Sequence, residues 1–406
     1  MQDRELFGRI LGISEPWFVE AVELQEALGE VRIRLGRRSS PLCCPTCGKA
    51  EPGYDTQPRR WRHLDTCQYE TVLEADVPRV ECPEHGVLQV RVPWAEKGSR
   101  FTLLFERLAI DWLLEAGRSA VKRRMRLSWD EADGILRRAV RRGLARRKQA
   151  VVPHIGVDEK SFQKRHEYVT VVCDLDRGTV LHVADDRKAE SLEAYYRSLT
   201  DEQRAGIQAV AMDMHDPYVK ATRDQVPDAD RKIVYDKFHI AKQLNQAVDQ
   251  VRKQEHKELT AEGDHRLKKT KYTWLRSSLN FTRKAWLAFR DLRRSKLRTA
   301  RAWALKETIM DLWQYSYLGP ARRYFRDWYQ WAVRSRLEPM KRAARTLQER
   351  LANILTYLDH PYTNAMAESL NSKIQWIKYT ARGFRSRDGF RTAIYFHCGG
   401  LELYPQ

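Results

Sequence analysis

Long apolar runs are missing from this 406-residue chain. No stretch of 18 apolar residues occurs, so no membrane-spanning helix is expected. The start, MQDRELFGRILGI, has no basic lead into a long apolar segment and does not read as a secretory signal. Cysteine is scarce: there are seven, and four of them crowd into residues 43–82. That crowding argues for metal chemistry over a disulfide framework, and hence for a reducing, cytoplasmic setting. Internal repeats and low-complexity linkers are absent too. Acidic charge is in the minority, with 54 Asp and Glu against 73 Lys and Arg and a net charge of +19. A hydrophobic content of 42% excludes global disorder, and the length allows two or three domains. The basic excess points to a polyanionic partner, nucleic acid before others.

What is present is unevenly placed. Residues 266–350 hold 23 Lys and Arg against 6 Asp and Glu, a net +17. The same stretch carries Trp274, Trp286, Trp303, Trp313, Trp328 and Trp331, six of the twelve tryptophans. Basic residues interleaved with aromatics suit a surface that tracks phosphates and stacks on bases. A helical bundle with tryptophan in its core and solvated arginine outside fits the same pattern.

The first forty residues contain two β-like runs, WFVEAVELQ and EVRIRLGRR. Cysteine pairs follow. CCPTCG supplies Cys44-x-x-Cys47 and ECPEHG supplies Cys82-x-x-His85, each pair trailed by a glycine. Two such knuckles complete a zinc tetrahedron, so one structural Zn²⁺ on Cys44, Cys47, Cys82 and His85 is expected. Cys43 and Cys67 are spare, and His63 is an alternative ligand. A set of buried free thiols is the alternative, and the Cys₃His zinc site is the stronger reading.

Beyond residue 95 the texture becomes helical. Phe101, Leu104, Phe105, Leu108, Trp112 and Leu113 recur at helical spacing. Ser128-Trp129-Asp130-Glu131 matches a capping box, and Ala132, Ile135, Leu136, Val140 and Leu144 continue as an apolar stripe. Arg137, Arg138, Arg141 and Arg142 stud the rest of that helix. Two helices joined by a tight turn, the second rich in arginine, suit a helix-turn-helix bound to DNA through those four residues. Any basic amphipathic hairpin would share the pattern.

From His154 strands take over, in the order β-β-β-α-β-α-β. HIGVDE and GIQAVAMD both run apolar and end in acid. If those two strands are neighbours, Asp158 and Asp213 emerge side by side and repel unless a cation lies between them. Two Mg²⁺ or Mn²⁺ ions would resolve the conflict and could drive phosphodiester chemistry. A third acid is wanted, and the late helix TNAMAESLNSKIQWIKY offers Glu368 alone. Its small residues Ala365, Ser369 and Ser372 would let that face sit on the sheet, with Lys373 and Lys378 available to phosphates. A single solvated glutamate is the ordinary alternative. Glu159, by alternation, should point away from Asp158. Asp216 reads as a helix N-cap before Pro217. Asp185 and Asp186 read as turn residues. Asn371, three residues beyond Glu368, is placed to touch DNA or substrate.

CPTCG…WRHLD…PRVECPEHG, VPWAEKGSRFT, IGVDEKSF, AVAMDMHDPY, VYDKFHIAKQLNQAVDQVR and TNAMAESLNSKIQWIKYTARGFRSRDGFR follow one another along nearly the whole chain. In these blocks the sequence resembles the ISL-three group of DDE insertion-sequence transposases. The resemblance implies a multidomain α+β protein: a zinc ribbon over 1–95, a helix-turn-helix over 96–150, and an RNase H-like catalytic domain over 151–255 and 351–406. The basic helical block, 256–350, would be its all-α insertion. It implies Asp158, Asp213 and Glu368 as catalytic, metal-binding acids, with Asp236 and His239 of YDKFHI in an auxiliary role. It also implies binding to the terminal inverted repeats of an element, two-metal cleavage and strand transfer into target DNA, and a homodimer or larger assembly on double-stranded DNA in the nucleoid. A catalytically silent DNA-binding derivative and a plain RNase H-like nuclease are the alternatives.

Overall fold

The structure, a computed structural model, describes residues 3–148, 150–162, 167–362 and 369–406 in full, and Gln163 and 365–368 by backbone alone. It divides into two compact units, 1–147 with 395–406, and 148–394. The last twelve residues thus belong with the amino-terminal unit, whereas the sequence reading gave all of 351–406 to the catalytic domain.

The amino-terminal unit is built on β1 (Trp17–Gln25), β2 (Glu30–Arg37), β3 (Gly53–Thr66), β4 (Tyr69–Cys82) and β5 (Gly86–Gln89). Their order is β1-β2-β4-β3, with β5 also on β4. Alternation buries Ile33, Leu35, Leu73, Ala75 and Val77, and Trp94 stands edge-on to both Trp17 and Trp61. Three helices follow, Leu103–Glu115, Arg118–Arg124 and Trp129–Arg146. Ser128 and Glu131 form the expected capping box, which fixes where the third begins.

The second unit contains β6 (His154–Gln163), β7 (Glu167–Asp174), β8 (Thr179–Ala184), β9 (Ala209–Met212) and β10 (Ile233–Tyr235), ordered β10-β9-β6-β7-β8. β10, β9 and β6 run parallel, while β7 and β8 are antiparallel additions. This is the RNase H-like arrangement. β6 does not stop at its acids as expected. It continues to Gln163 because Glu159, Lys160 and Ser161 pair with Thr170, Val169 and Tyr168 of β7.

The helical block corrects the stacking-surface reading of its tryptophans. Trp274, Trp303 and Trp328 are buried, and Trp286 and Trp313 pack against the same core. In the helix Leu318–Arg334, Ala321, Phe325, Trp328 and Ala332 form the buried stripe, and the Trp328 indole donates to the Leu305 carbonyl at 2.8 Å. Trp331, on the other face, is the one of the six that stays exposed. The charge does remain outside: Arg283, Arg290, Arg294, Arg322 and Arg323 are all exposed. No helix among the described residues is long and apolar enough to cross a membrane.

Candidate active site and metal centres

Parallel register builds the carboxylate edge. Val157 pairs with Met212, and Met212 pairs with Tyr235. The next residues on the three strands are Asp158, Asp213 and Asp236. Side chains alternate along a strand. The flanking Val157, Met212 and Tyr235 all enter the core, which puts the three acids on the opposite face. From the sequence, strand adjacency pairs Asp158 with Asp213 and leaves Asp236 at the end of the fifth strand near the same edge. Asp236 joins them because β10 extends the parallel set by one strand.

Each acid has its own setting. Asp158 Oδ2 accepts from Asn371 Nδ2 at 2.6 Å and lies 2.9 Å from Lys160 Nζ, two residues on and on the same face. Asp236 is buried and caps the helix Lys237–Ala261 by accepting from the Phe238 amide. His239, one turn into that helix, holds Nδ1 2.9 Å from Asp236 Oδ2 and 2.6 Å from Asp213 Oδ1. The two carboxylates, Asp213 first, push the His239 imidazole up to about 10 against the opposing effect of burial. Asp213 Oδ1 is nevertheless buried with no aligned hydrogen bond. Its neighbour is His239 at ion-pair distance, in poor hydrogen-bond alignment, so a divalent ion that displaced that proton would find a buried carboxylate oxygen ready to ligate it. Asp213, Asp236 and His239 offer three ligand atoms within 4.8 Å of one another. A hard divalent ion therefore fits this edge.

Glu368 belongs to the helix Ala365–Thr380, one turn before Asn371, and its side chain lies outside the described residues. That helix is seated differently from the expectation. Among the described side chains Leu370, Ile374 and Ile377 are the buried stripe and Ser369 and Ser372 are exposed, while the Ala365 side chain lies outside the described residues. Lys378 is turned onto β6, donating to the Ser161 carbonyl at 2.7 Å, while Lys373 is exposed. Glu159 points away from Asp158, towards His215 and Arg187 at 3.7 Å each. Asp216 is the first residue of its helix, not the cap. His215 holds the cap position, and Arg350 binds Asp216 at 2.6 Å. Asp186 is a turn residue as expected, accepting from the Lys188 amide.

The sulfur cluster matches its expectation closely. Cys44, Cys47, Cys82 and His85 converge, with Cys47 and Cys82 sulfurs 3.8 Å apart and His85 Nδ1 3.4 Å from Cys82 and 3.9 Å from Cys44. A tetrahedral zinc with ordinary bond lengths spaces its ligand atoms by about 3.6–3.8 Å. Gly48 and Gly86 close the two knuckles at φ +74° and +70°, a conformation that favours glycine. The Cys44 thiol is lowered to about 7, chiefly by the Cys47 backbone N–H. His63 is not a ligand. It is buried beside Thr102, Nδ1 2.9 Å from the hydroxyl, and desolvation lowers it to about 4.

On the helix Trp129–Arg146 the four arginines divide. Arg138 and Arg142 turn inward onto the buried carboxylate of Glu106, at 2.8 and 3.3 Å, and Arg142 also reaches Glu96 at 2.8 Å. They are therefore committed to the fold. Arg137 and Arg141 are exposed, with Arg137 also bound to Asp133 at 2.6 Å.

A sheet edge of carboxylates, joined in one chain to a zinc ribbon and a helix-turn-helix, defines the class of DNA-processing enzymes built on the RNase H-like fold. Family comparisons agree along the chain. Residues 155–394 match a transposase family, residues 40–85 the zinc-finger of transposase IS204/IS1001/IS1096/IS1165, and residues 90–140 the helix-turn-helix domain of transposase family ISL3. The chain is similar to the transposase for insertion sequence element IS1557 of Mycobacterium tuberculosis, at 30% identity over 95% of this chain and 93% of the relative. It is also similar to the transposase for insertion sequence element IS1001 of Bordetella parapertussis, at 27% identity over 96% and 97%. The chain belongs to transposase family ISL3 and is a DNA transposase. Its zinc ribbon carries structural zinc on the Cys₃His set.

Proposed function

We propose that this transposase cuts and joins DNA at Asp158, Asp213 and Glu368 with two Mg²⁺ or Mn²⁺ ions. The observation that carries the reading is the register that sets Asp158 beside Asp213, with Asp213 Oδ1 buried and unaligned to any donor. Two divalent ions, when bound, supply positive charge to an attacking and a departing oxygen. The chain's own part is orientation. Asn371 and Lys160 fix the Asp158 carboxylate, while Asp236 and His239 hold Asp213 in auxiliary roles. Glu368 belongs to the Ala365–Thr380 helix, whose place on β6 is set by the Lys378 and Asn371 bonds.

The zinc ribbon (1–95) and helix-turn-helix (96–150) would recognise the terminal inverted repeats, with Arg137 and Arg141 on phosphates and Lys373 beside the cut strand. The basic block 256–350 would be the insertion in the catalytic domain. Two ends must meet, so a homodimer or larger assembly on DNA in the nucleoid follows. Incubation with an element end, a target duplex and Mg²⁺ tests the reading. Joined product supports it, cutting without joining indicates a plain nuclease, and a footprint alone indicates a silent binder.

A further inference from the structure

We propose that a closed ring of ion pairs, Arg62–Asp65–Arg126–Glu70, fixes the helix-turn-helix on the β3–β4 hairpin, so that the zinc ribbon and the helix Trp129–Arg146 read an element end as one rigid body. Each carboxylate bridges the two arginines. Asp65 takes Arg62 on Oδ1 and Arg126 on Oδ2. Glu70 takes Arg62 Nε on Oε2 at 3.3 Å and Arg126 Nε on Oε1 at 2.9 Å. Both oxygens of both carboxylates are used, and each guanidinium is held at two of its nitrogens. A lone surface pair fixes little, whereas two-point guanidinium contacts within a network hold an orientation.

The ring joins two turns. Asp65 and Glu70 flank the hairpin turn between β3 and β4. Arg126 lies in the turn between the helices Arg118–Arg124 and Trp129–Arg146. Its neighbours Met125 and Leu127 are buried, and its own φ is +54°. Glycine takes that conformation freely, whereas an arginine there is strained, and the two carboxylates on its side chain account for the choice. Arg62 also pairs through its backbone, its amide donating to the Arg100 carbonyl at 2.9 Å and its carbonyl accepting from the Thr102 amide at 3.0 Å. The helices are thus held to the hairpin at residues 100–102 and again at residue 126. Glu106, bound by Arg138 and Arg142, joins the first of these helices to the third. The hairpin then sets a distance. β4 leaves the ring at Tyr69 and ends on the zinc ligand Cys82, 14 residues that span roughly 40 Å. One turn of duplex DNA is about 34–36 Å, so contacts from the two ends of β4 meet one face of a duplex about a turn apart. Without the ring the hold at residue 126 is lost, and the recognition helix swings about the joint at 100–102. The inference rests on the proposed reading in which ribbon and helix-turn-helix both contact the element end.

The test uses the full-length protein with an element end, and with the same end lengthened by five base pairs, about half a turn, between the contacted segments. Hydroxyl-radical footprinting of the wild type is expected to show two protected segments about one turn apart. The insertion carries one segment to the opposite face, so wild-type affinity should fall by roughly a hundredfold or more. Arg126→Met, and separately Asp65→Asn with Glu70→Gln, open the ring from either side. Both variants should keep wild-type zinc content and helical circular dichroism. Each should bind the unaltered end more weakly and lose less than about tenfold on the insertion, because a swinging helix still reaches its segment. Arg126→Lys should fall between them and the wild type. An equal insertion penalty in the wild type and both ring variants overturns the proposal, as does a wild type that tolerates the insertion. Loss of zinc or helix content in both variants also overturns it, by assigning the ring to stability alone. A single protected segment in the wild type overturns the two-contact reading as well, whereas failure of the ring alone leaves both segments in place.

Discussion

Asn371 donates its side-chain amide to Asp158 at 2.6 Å, linking two residues 213 positions apart across the sheet. A carboxylate oriented by a second side chain presents its free lone pairs in one direction. Groups that orient a metal ligand in this way typically contribute 10–100-fold to activity. Asn371→Ala is expected to slow Mg²⁺-dependent cleavage by about that factor, with end-binding affinity unchanged in a mobility-shift assay.

The division of arginines on the helix Trp129–Arg146 separates stability from recognition. Removing Arg142 strands the Glu106 carboxylate, which is 1% exposed, with one partner fewer. Breaking a buried ion pair costs about 3–5 kcal/mol. Arg142→Ala should therefore lower the urea midpoint of the protein. Arg137→Ala with Arg141→Ala should leave the midpoint in place, weaken DNA binding, and reduce the slope of log affinity against log salt by roughly two.

His63 gives the amino-terminal unit an acid limit. Its folded pKa of about 4 lies below the ordinary 6.5, because the buried site disfavours the cation. Between those values the unfolded chain binds a proton that the folded chain does not. The stability this site contributes is therefore complete above about pH 6.5 and is lost as pH falls towards 4. A wild-type loss of about 2–3 kcal/mol from this group is expected between pH 7 and 4.5. His63→Gln should show a smaller loss over the same range in urea titrations, since its zinc ligands are unchanged.

Zinc should hold the two knuckles together. One zinc per chain is expected by atomic absorption. Cys82→Ser, or chelation, should abolish end binding and expose Cys47 to thiol reagents, because structural zinc supplies folding free energy directly.

Much of this was legible in the sequence because the signals are local. The glycine-trailed knuckles, the Ser128–Glu131 capping box and the apolar strands ending in Asp158 and Asp213 each declare themselves within a few residues. The rest depends on distant partners. β6 outruns its acids because β7 offers a mate for Glu159 to Ser161, which no short window reveals. Arg138 and Arg142 look like phosphate ligands until Glu106, on another helix, draws them inward. The tryptophans of the basic block read equally as surface or core until helix phase is known. The sequence alone gives Asp236 at the end of a strand, and its level with Asp213 follows only from the β10 register.

Mg²⁺-dependent cleavage of an element end by Asp158→Asn, Asp213→Asn and Glu368→Gln, each checked for retained end binding, tests the convergence of these acids most directly. Each variant is expected to bind DNA as the wild type does and to cut at less than about a thousandth of its rate, as loss of a metal-binding carboxylate requires. Wild-type cutting by any one of the three would contradict the assignment.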